Sequence, residues 1–266
     1  MVRTETERSG SLPIRQGCSP PHSRSIPHLR GRFMVRLFHL TCAYGEREVL
    51  SDLTLSFGAE AVVFVGPAGA GKTVLMRLLA GVEAPTRGWI TVDGIPLGAA
   101  SREVLSEHRR RLAIMPQRTV LVPDRSAEHN VALPLLVEGV SPGRALERAA
   151  GCLGGLGLGP LLGRRVDVLS RTERRLVCLA RAVVRGEASL VLADDPVAGL
   201  DAEGQQRVVA GLKTMVDRGA TVVVCSQQPG LPGFEGARTV FLASGRIAFD
   251  SGSVAAQEAS RAGGRR

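Results

Sequence analysis

One octapeptide constrains this chain more than anything else in it. Gly66-Pro67-Ala68-Gly69-Ala70-Gly71-Lys72-Thr73 satisfies the spacing G-x-x-x-x-G-K-[ST] of a phosphate-binding loop. Its flanks are the ones such a loop needs. Ahead of it runs Ala61-Val62-Val63-Phe64-Val65, apolar, rich in β-branched residues and short enough for a buried strand. Behind it, Val74, Leu75, Leu78, Leu79 and Val82 recur at helical spacing. Glycines in such a turn let backbone N–H groups close around phosphate oxygens, and the helix N-terminus adds partial positive charge. Lys72 is positioned to reach β- and γ-phosphates, and the Thr73 hydroxyl to ligate Mg²⁺. Lys213 is the only other lysine, because arginine supplies nearly all the positive charge. A lysine kept here against that bias favours phosphate binding over a plain Gly/Ala-rich turn. The chain reads as a nucleotide-binding protein.

At 266 residues, with 44% hydrophobic content, it suits one large α/β domain with room for a small subdomain. No run of about 18 apolar residues exists, so no membrane-spanning segment is expected. The cysteines Cys18, Cys42, Cys152, Cys178 and Cys225 are far apart and form no C-x-x-C pair. They read as cytoplasmic thiols, not as a disulfide framework or a metal site. A net charge of +9 raises nucleic acid and anionic membrane surfaces as partners. Part of the excess lies in the two tails, however, and no basic stripe carries stacking aromatics. No nucleic-acid partner is expected; membrane-surface contact fits better, and an arginine-rich coding bias better still.

Residues 1–33 carry six arginines against two glutamates and no apolar periodicity. They read as a tail, either disordered or not translated, with Met34 as a candidate start. From Met34 the pattern becomes that of an antiparallel meander: Val35, Leu37 and His39-Leu40, a turn at Tyr44-Gly45, then Val49-Leu50 and Leu53-Thr54-Leu55. Trp89-Ile90-Thr91-Val92 is a strand closing at Asp93-Gly94, Arg102 to Arg111 a charged helix, and Leu112-Ala113-Ile114-Met115 a short strand ending at Pro116-Gln117. Residues 126 to 164 read as helical but broken by Pro134, Pro142 and Pro160, with Gly151, Gly154, Gly155, Gly157 and Gly159 loosening the later half. Ser170 with Glu173 forms a capping-box pair before a helix carrying Leu176, Leu179, Ala180 and Val183 on one face. Ser189 to Ala193 is an apolar strand running into Asp194-Asp195; Gln205 to Asp217 is a helix, Ala220 to Cys225 a strand. Thr239 to Ala243 and Ile247 to Phe249 make a closing hairpin, and 253–266 a polar basic tail. Apolar strands alternating with helices predict a mainly parallel sheet covered on both sides.

These landmarks, in this order and at these separations, resemble an ABC-type ATPase from about Met34 to Gly252. The resemblance implies an α/β P-loop fold with an antiparallel β-subdomain and a helical subdomain over about 118–170. It also implies Mg-ATP binding in a homodimer or heterodimer, on the cytoplasmic face of a membrane partner. Within that superfamily the chain looks most like FtsE, the cell-division ATPase that works with the membrane protein FtsX. The supporting segments are Met34-Val35-Arg36-Leu37, Ile114-Met115-Pro116-Gln117, Asp124-Arg125 and Asn130-Val131-Ala132-Leu133-Pro134-Leu135. The lipoprotein-release ATPases share much of this pattern. Carried over by resemblance, Tyr44 stacks on adenine, and Gln117 touches Mg²⁺ and the attacking water. Asp194 holds Mg²⁺ through water, and Gly199-Leu200-Asp201 crosses the dimer interface. Ser170 and Arg171 stand in the signature loop that clamps ATP held by the other subunit.

Three positions depart from the family pattern. Its signature L-S-G-G-[QE] is here Leu169-Ser170-Arg171-Thr172-Glu173, which puts side chains where glycines permit close approach. Asp195 stands where the family has the glutamate that polarises the water, and Ser226-Gln227 where it has a histidine on the γ-phosphate. Asp is one methylene shorter than Glu, and Gln carries no positive charge. Together they imply slow or silent hydrolysis by Asp195, Gln117 and Gln227 over an intact nucleotide cradle. Three readings follow: an FtsE-like regulator with an FtsX-like partner, the ATP-binding subunit of an exporter or lipoprotein-release complex, or an ATP-dependent scaffold that never turns over.

Overall fold

The computed structural model describes residues 34–252 apart from 187 and 230; the expected tails at 1–33 and 253–266, with Cys18, lie outside the described residues. Strands β1 (Val35–Tyr44) and β2 (Arg47–Phe57) form the expected hairpin. Strand β3 (Ala61–Val65) feeds the glycine loop and helix α1 (Lys72–Leu79). Then come β4 (Arg87–Val92), the two-residue β5 (Ile95–Pro96), α2 (Arg102–Arg110) and β6 (Leu112–Met115). Helices α3 (Ala127–Val137), α4 (Pro142–Gly155) and α5 (Arg171–Val183) follow, then β7 (Leu190–Asp194). The chain closes with α6 (Ala202–Asp217), β8 (Thr221–Ser226), β9 (Arg238–Ala243) and β10 (Arg246–Asp250).

Two sheets result. One is antiparallel, in the order β2-β1-β4-β5; the other runs β10-β9-β3-β8-β7-β6 and is parallel except for the β9–β10 hairpin. The mixed α/β expectation is met. Phe64, Leu192 and Val223 point from the parallel sheet into a core shared with the antiparallel sheet and α1. Val63, Val191 and Val222 point the other way, into a core built with α3 to α6. Alternation along each strand therefore supplies two cores from one sheet, which is why these strands are apolar on both faces.

Local expectations fail in instructive places. Pro134 lies inside α3 and does not break it. The cost of an interior proline, roughly 3 kcal/mol, is outweighed by burial of Val131 and Leu135 on the same helix. Helix α4 likewise runs through Gly151 and Gly154, because Ala145, Ala149 and Leu153 form a fully buried stripe at four-residue spacing. Pro142 starts that helix, where its missing N–H costs nothing. Val82 does not extend α1, which ends at Leu79; Val82 is exposed.

The segment from β6 to α3 is held by one buried amide. Asn130 Oδ1 accepts from the Val122 N–H at 2.7 Å, while its Nδ2 donates to the carbonyls of Val122 at 3.0 Å and Ser126 at 3.1 Å. Asn130→Ala leaves the buried Val122 N–H without its partner, while the Val122 and Ser126 carbonyls keep only the Arg125 and Asn130 N–H groups. We expect urea denaturation to show a loss of about 1–3 kcal/mol of stability.

Candidate nucleotide-binding site

Register alone gathers the predicted residues. In the parallel sheet Val65 pairs with Ser226, Asp194 with Cys225, and Met115 with Ala193. The carboxyl ends of β3, β8, β7 and β6 therefore lie side by side. Ligands of open parallel sheets bind at that edge. The glycine loop, Gln117, Asp194, Asp195 and Gln227 each follow one of those strand ends.

The loop turns into α1 at Gly71, whose φ of 97° is left-handed. A β-carbon there would also sit 2.9 Å from the backbone oxygen of Val49, so glycine is required twice over. Lys72 is buried, and its ammonium donates to the carbonyls of Gly66 at 2.7 Å and Pro67 at 3.0 Å. The Thr73 hydroxyl donates to Asp194 Oδ2 at 3.2 Å. Pro67, Ala68, Gly69 and Ala70 complete the loop between β3 and α1.

Asp194 and Asp195 are 9% and 8% exposed, two adjacent carboxylates in a nearly dry position. Burial pushes the Asp194 carboxyl above its ordinary range, and the neighbouring Asp195 charge adds to the rise. Asp195 has a left-handed backbone, φ 42°, which Asp tolerates better than most side chains. Its Oδ1 accepts from the Gln227 N–H at 3.2 Å; its Oδ2 accepts from Gln117 Nε2 at 3.3 Å and Gln227 Nε2 at 3.2 Å. Sequence reasoning assigned Gln117, Asp195 and Gln227 separate tasks. The structure joins them in one hydrogen-bonded set.

The donor set suits a divalent cation. Thr73 Oγ1 and Asp194 Oδ2 supply hard oxygens, and a cation would offset the mutual repulsion of the carboxylates. Among the described residues no group of three or more His, Cys, Asp or Glu could hold a metal. A cation held there would take its remaining ligands from phosphate and water, as is usual for Mg²⁺.

The other predicted residues have structural partners of their own. Tyr44 ends β1 half-exposed, and its hydroxyl donates to Glu83, which also takes Arg77 Nη1 at 3.1 Å. The bond to Glu83 pushes the phenol up to about 12. Ser170 caps α5 by accepting from the Glu173 N–H at 3.2 Å, and Glu173 returns the bond to the Ser170 N–H at 2.7 Å. Asp201 caps α6 through the Gly204 N–H at 2.9 Å. Arg171 folds back within its own chain: its Nη2 donates to the Ala198 carbonyl at 3.4 Å, and the guanidinium lies on Gly199, where a β-carbon would meet it at 2.5 Å. Beside the site, a cavity of about 680 Å³ is lined in part by Gln117, Arg118, Arg171, Arg174, Arg175 and Leu200. Sequence reasoning missed Glu83, Arg77 and Arg175, whose partners are remote in the chain and carry no spacing signal.

Comparison with known proteins assigns the class. The ABC transporter family model matches residues 50–198, more than half the chain. The chain belongs to that family, as an ATP-binding domain. It is 31% identical over 228 residues to the macrolide export ATP-binding/permease protein MacB of Marinobacter nauticus, covering 84% of this chain and 35% of that protein. The MacB of Bordetella avium is 35% identical over 204 residues, with coverage of 76% and 31%. The chain thus spans about a third of the length of these relatives. Among solved structures, the dimeric ATP-binding cassette MJ0796 in a post-hydrolysis state bound to ADP and Pi superposes with a TM-score of 0.74 at 27% identity, over 82% of this chain and 98% of that one. The structure of cbiO1 from Clostridium perfringens gives 0.75 at 20% identity, over 87% and 94%, and shows the fold alone. No described helix is long and apolar enough to cross a membrane.

The raised Asp194 carboxyl has a definite sign. The folded protein binds that proton more tightly than the unfolded chain, so this group's contribution to stability falls as pH climbs from the ordinary carboxylate range through the raised value. Asp194→Asn keeps the shape and removes the charge. We expect a higher melting temperature for the nucleotide-free protein at neutral pH, a difference that shrinks on acidification, and loss of the Mg²⁺-dependent tightening of ATP binding.

Proposed function

We propose that this chain is the ATP-driven part of an ABC export machine, binding Mg-ATP as a dimer and hydrolysing it slowly to drive a permease. One observation carries the reading: Lys72, Thr73, Asp194, Gln117, Asp195 and Gln227 converge at one edge of the parallel sheet. Lys72 exchanges its loop carbonyls for β- and γ-phosphate oxygens, and the loop N–H groups surround the rest. Thr73 and Asp194 hold Mg²⁺, which supplies charge neutralisation on the phosphates. Asp195 accepts the proton of a water that Gln117 and Gln227 help to orient. Tyr44 stacks on adenine, its ring steadied by Glu83. Ser170 and Arg171 face the partner subunit's nucleotide, and Asp201 lies near the dimer seam. The likeness to ATP-binding/permease proteins named for macrolide export supports an export permease as partner.

Slow turnover follows from the three departures. Asp195 is short of the reach of a glutamate, Gln227 brings no charge, and Arg171 and Thr172 fill a loop where glycines would allow closer approach. The second reading, an FtsE-like regulator of division with an FtsX-like partner, rests on Met34-Val35-Arg36-Leu37, Asp124-Arg125 and Asn130 to Leu135. A neighbouring gene for a four-span membrane protein with an extracytoplasmic domain would favour it; a larger permease would favour export.

Lys72→Ala is expected to abolish detectable binding of a fluorescent ATP analogue with the fold intact, since charge-assisted contacts to phosphate contribute about 1.5–3 kcal/mol each. Unchanged affinity would remove the phosphate-loop reading. Turnover should respond to repair. Asp195→Glu, Gln227→His, Arg171→Gly and Thr172→Gly each do little alone, because groups acting as one catalytic unit are strongly non-additive. Combined, they raise phosphate release at saturating Mg-ATP at least about tenfold, roughly 1.4 kcal/mol of barrier. A starting protein that already turns over rapidly would refute the slow-hydrolase reading, and one silent even in single turnover would leave an ATP-dependent scaffold.

A further inference from the structure

The most heavily bonded side chain near the site is not one of the predicted residues. Arg175, in the second turn of α5, is 4% exposed. Its Nε donates to the Pro196 carbonyl at 2.9 Å, and its Nη1 to the carbonyls of Pro116 and, at 3.2 Å, Gln117. Its Nη2 donates to the carbonyls of Asp194 at 3.0 Å and Asp195 at 2.9 Å. A guanidinium has five N–H donors in one plane, and here five backbone carbonyls take them.

The acceptors fall into two groups. Pro116 and Gln117 follow the end of β6; Asp194, Asp195 and Pro196 stand at the end of β7. The ladder between those strands stops at Met115 paired with Ala193. Beyond that pair no ladder joins the two backbones, and the Arg175 fork bonds to both of them. Gln117 and Asp195 are the two residues whose side chains then meet at 3.3 Å across that gap. The fork grips the carbonyl of each, so the separation of their side chains is set from a third element, α5.

We propose that Arg175 is a positioning residue for ATP hydrolysis: it fixes Gln117 against Asp195, and through them the attacking water, without touching the nucleotide. This rests on the hydrolytic reading given above. Lysine is a poor substitute, because its point charge offers three donors and cannot serve both loops in one plane. The phosphate cradle is anchored elsewhere, on β3 and α1. Loss of the fork should therefore affect rate and leave affinity.

The test uses the full chain with Arg175→Lys, which keeps charge and stem, and Arg175→Gln as a second variant. Single-turnover phosphate release is measured with protein in excess over Mg-ATP, alongside the affinity and stoichiometry of a fluorescent ATP analogue. Both variants should hydrolyse at least about tenfold more slowly, with affinity and stoichiometry of binding unchanged. In a Gln117→Ala background the same substitutions should add little, since the two residues act through one geometry. Three results overturn the proposal: variants as fast as the starting protein, stoichiometry falling in step with rate, or fully additive losses with Gln117→Ala. Each leaves the hydrolytic reading standing. A starting protein that releases no phosphate overturns that reading, and this proposal with it.

Discussion

Two carboxylates at the end of a buried strand are the constraint on which the site depends. Asp194 and Asp195 are adjacent, nearly dry and like-charged. Such a pair is costly unless something answers each oxygen. The Thr73 hydroxyl serves Asp194, while the Gln117 and Gln227 amides and the Gln227 N–H serve Asp195. The Arg175 guanidinium lies on the carbonyl side of the same two residues, adding positive charge without blocking their oxygens. Burial and the Asp195 charge still hold the Asp194 carboxyl above its ordinary range, a cost that a cation at its oxygens would offset.

Helix α5 shows how one sequence change redistributes roles. The capping box of Ser170 and Glu173 fixes where the helix starts, and Arg164 pairs with Glu173 at 3.0 Å to brace it. A Gly-Gly loop would leave the first turn open to an incoming phosphate. Here Arg171 covers Gly199 in its own chain, and Arg175 reaches the ends of β6 and β7. The helix is thereby locked to the strand ends of its own chain, and its first turn is already partly engaged.

The strand–loop–helix around Lys72 was legible because every signal in it is local: an apolar run, fixed glycine spacing, then helical periodicity. The parallel strands were equally legible, since each is apolar on both faces. Pro134 and the glycines of α4 misled for the opposite reason. Their local preference was overruled by Val131, Leu135, Ala149 and Leu153 packing against residues far away in sequence. The site residues could be named from spacing, but the joining of Gln117, Asp195 and Gln227 required the sheet register. Arg175 left no trace in the sequence beyond being one arginine among many, because all of its partners are backbone carbonyls.

The same logic applies to Lys72, whose affinity for phosphate is a difference and not a sum. Its ammonium is bonded to the carbonyls of Gly66 and Pro67 and is mostly buried. In the proposed function phosphate would displace neutral acceptors, exchanging them for charged ones that make hydrogen bonds roughly twice as strong. The two carbonyl bonds also tie the side chain back onto the start of the turn that precedes it. A lysine left free would instead add a buried, unpaired cation to the ground state. The turn is thus held in shape by the same group that the proposed function assigns to the phosphate.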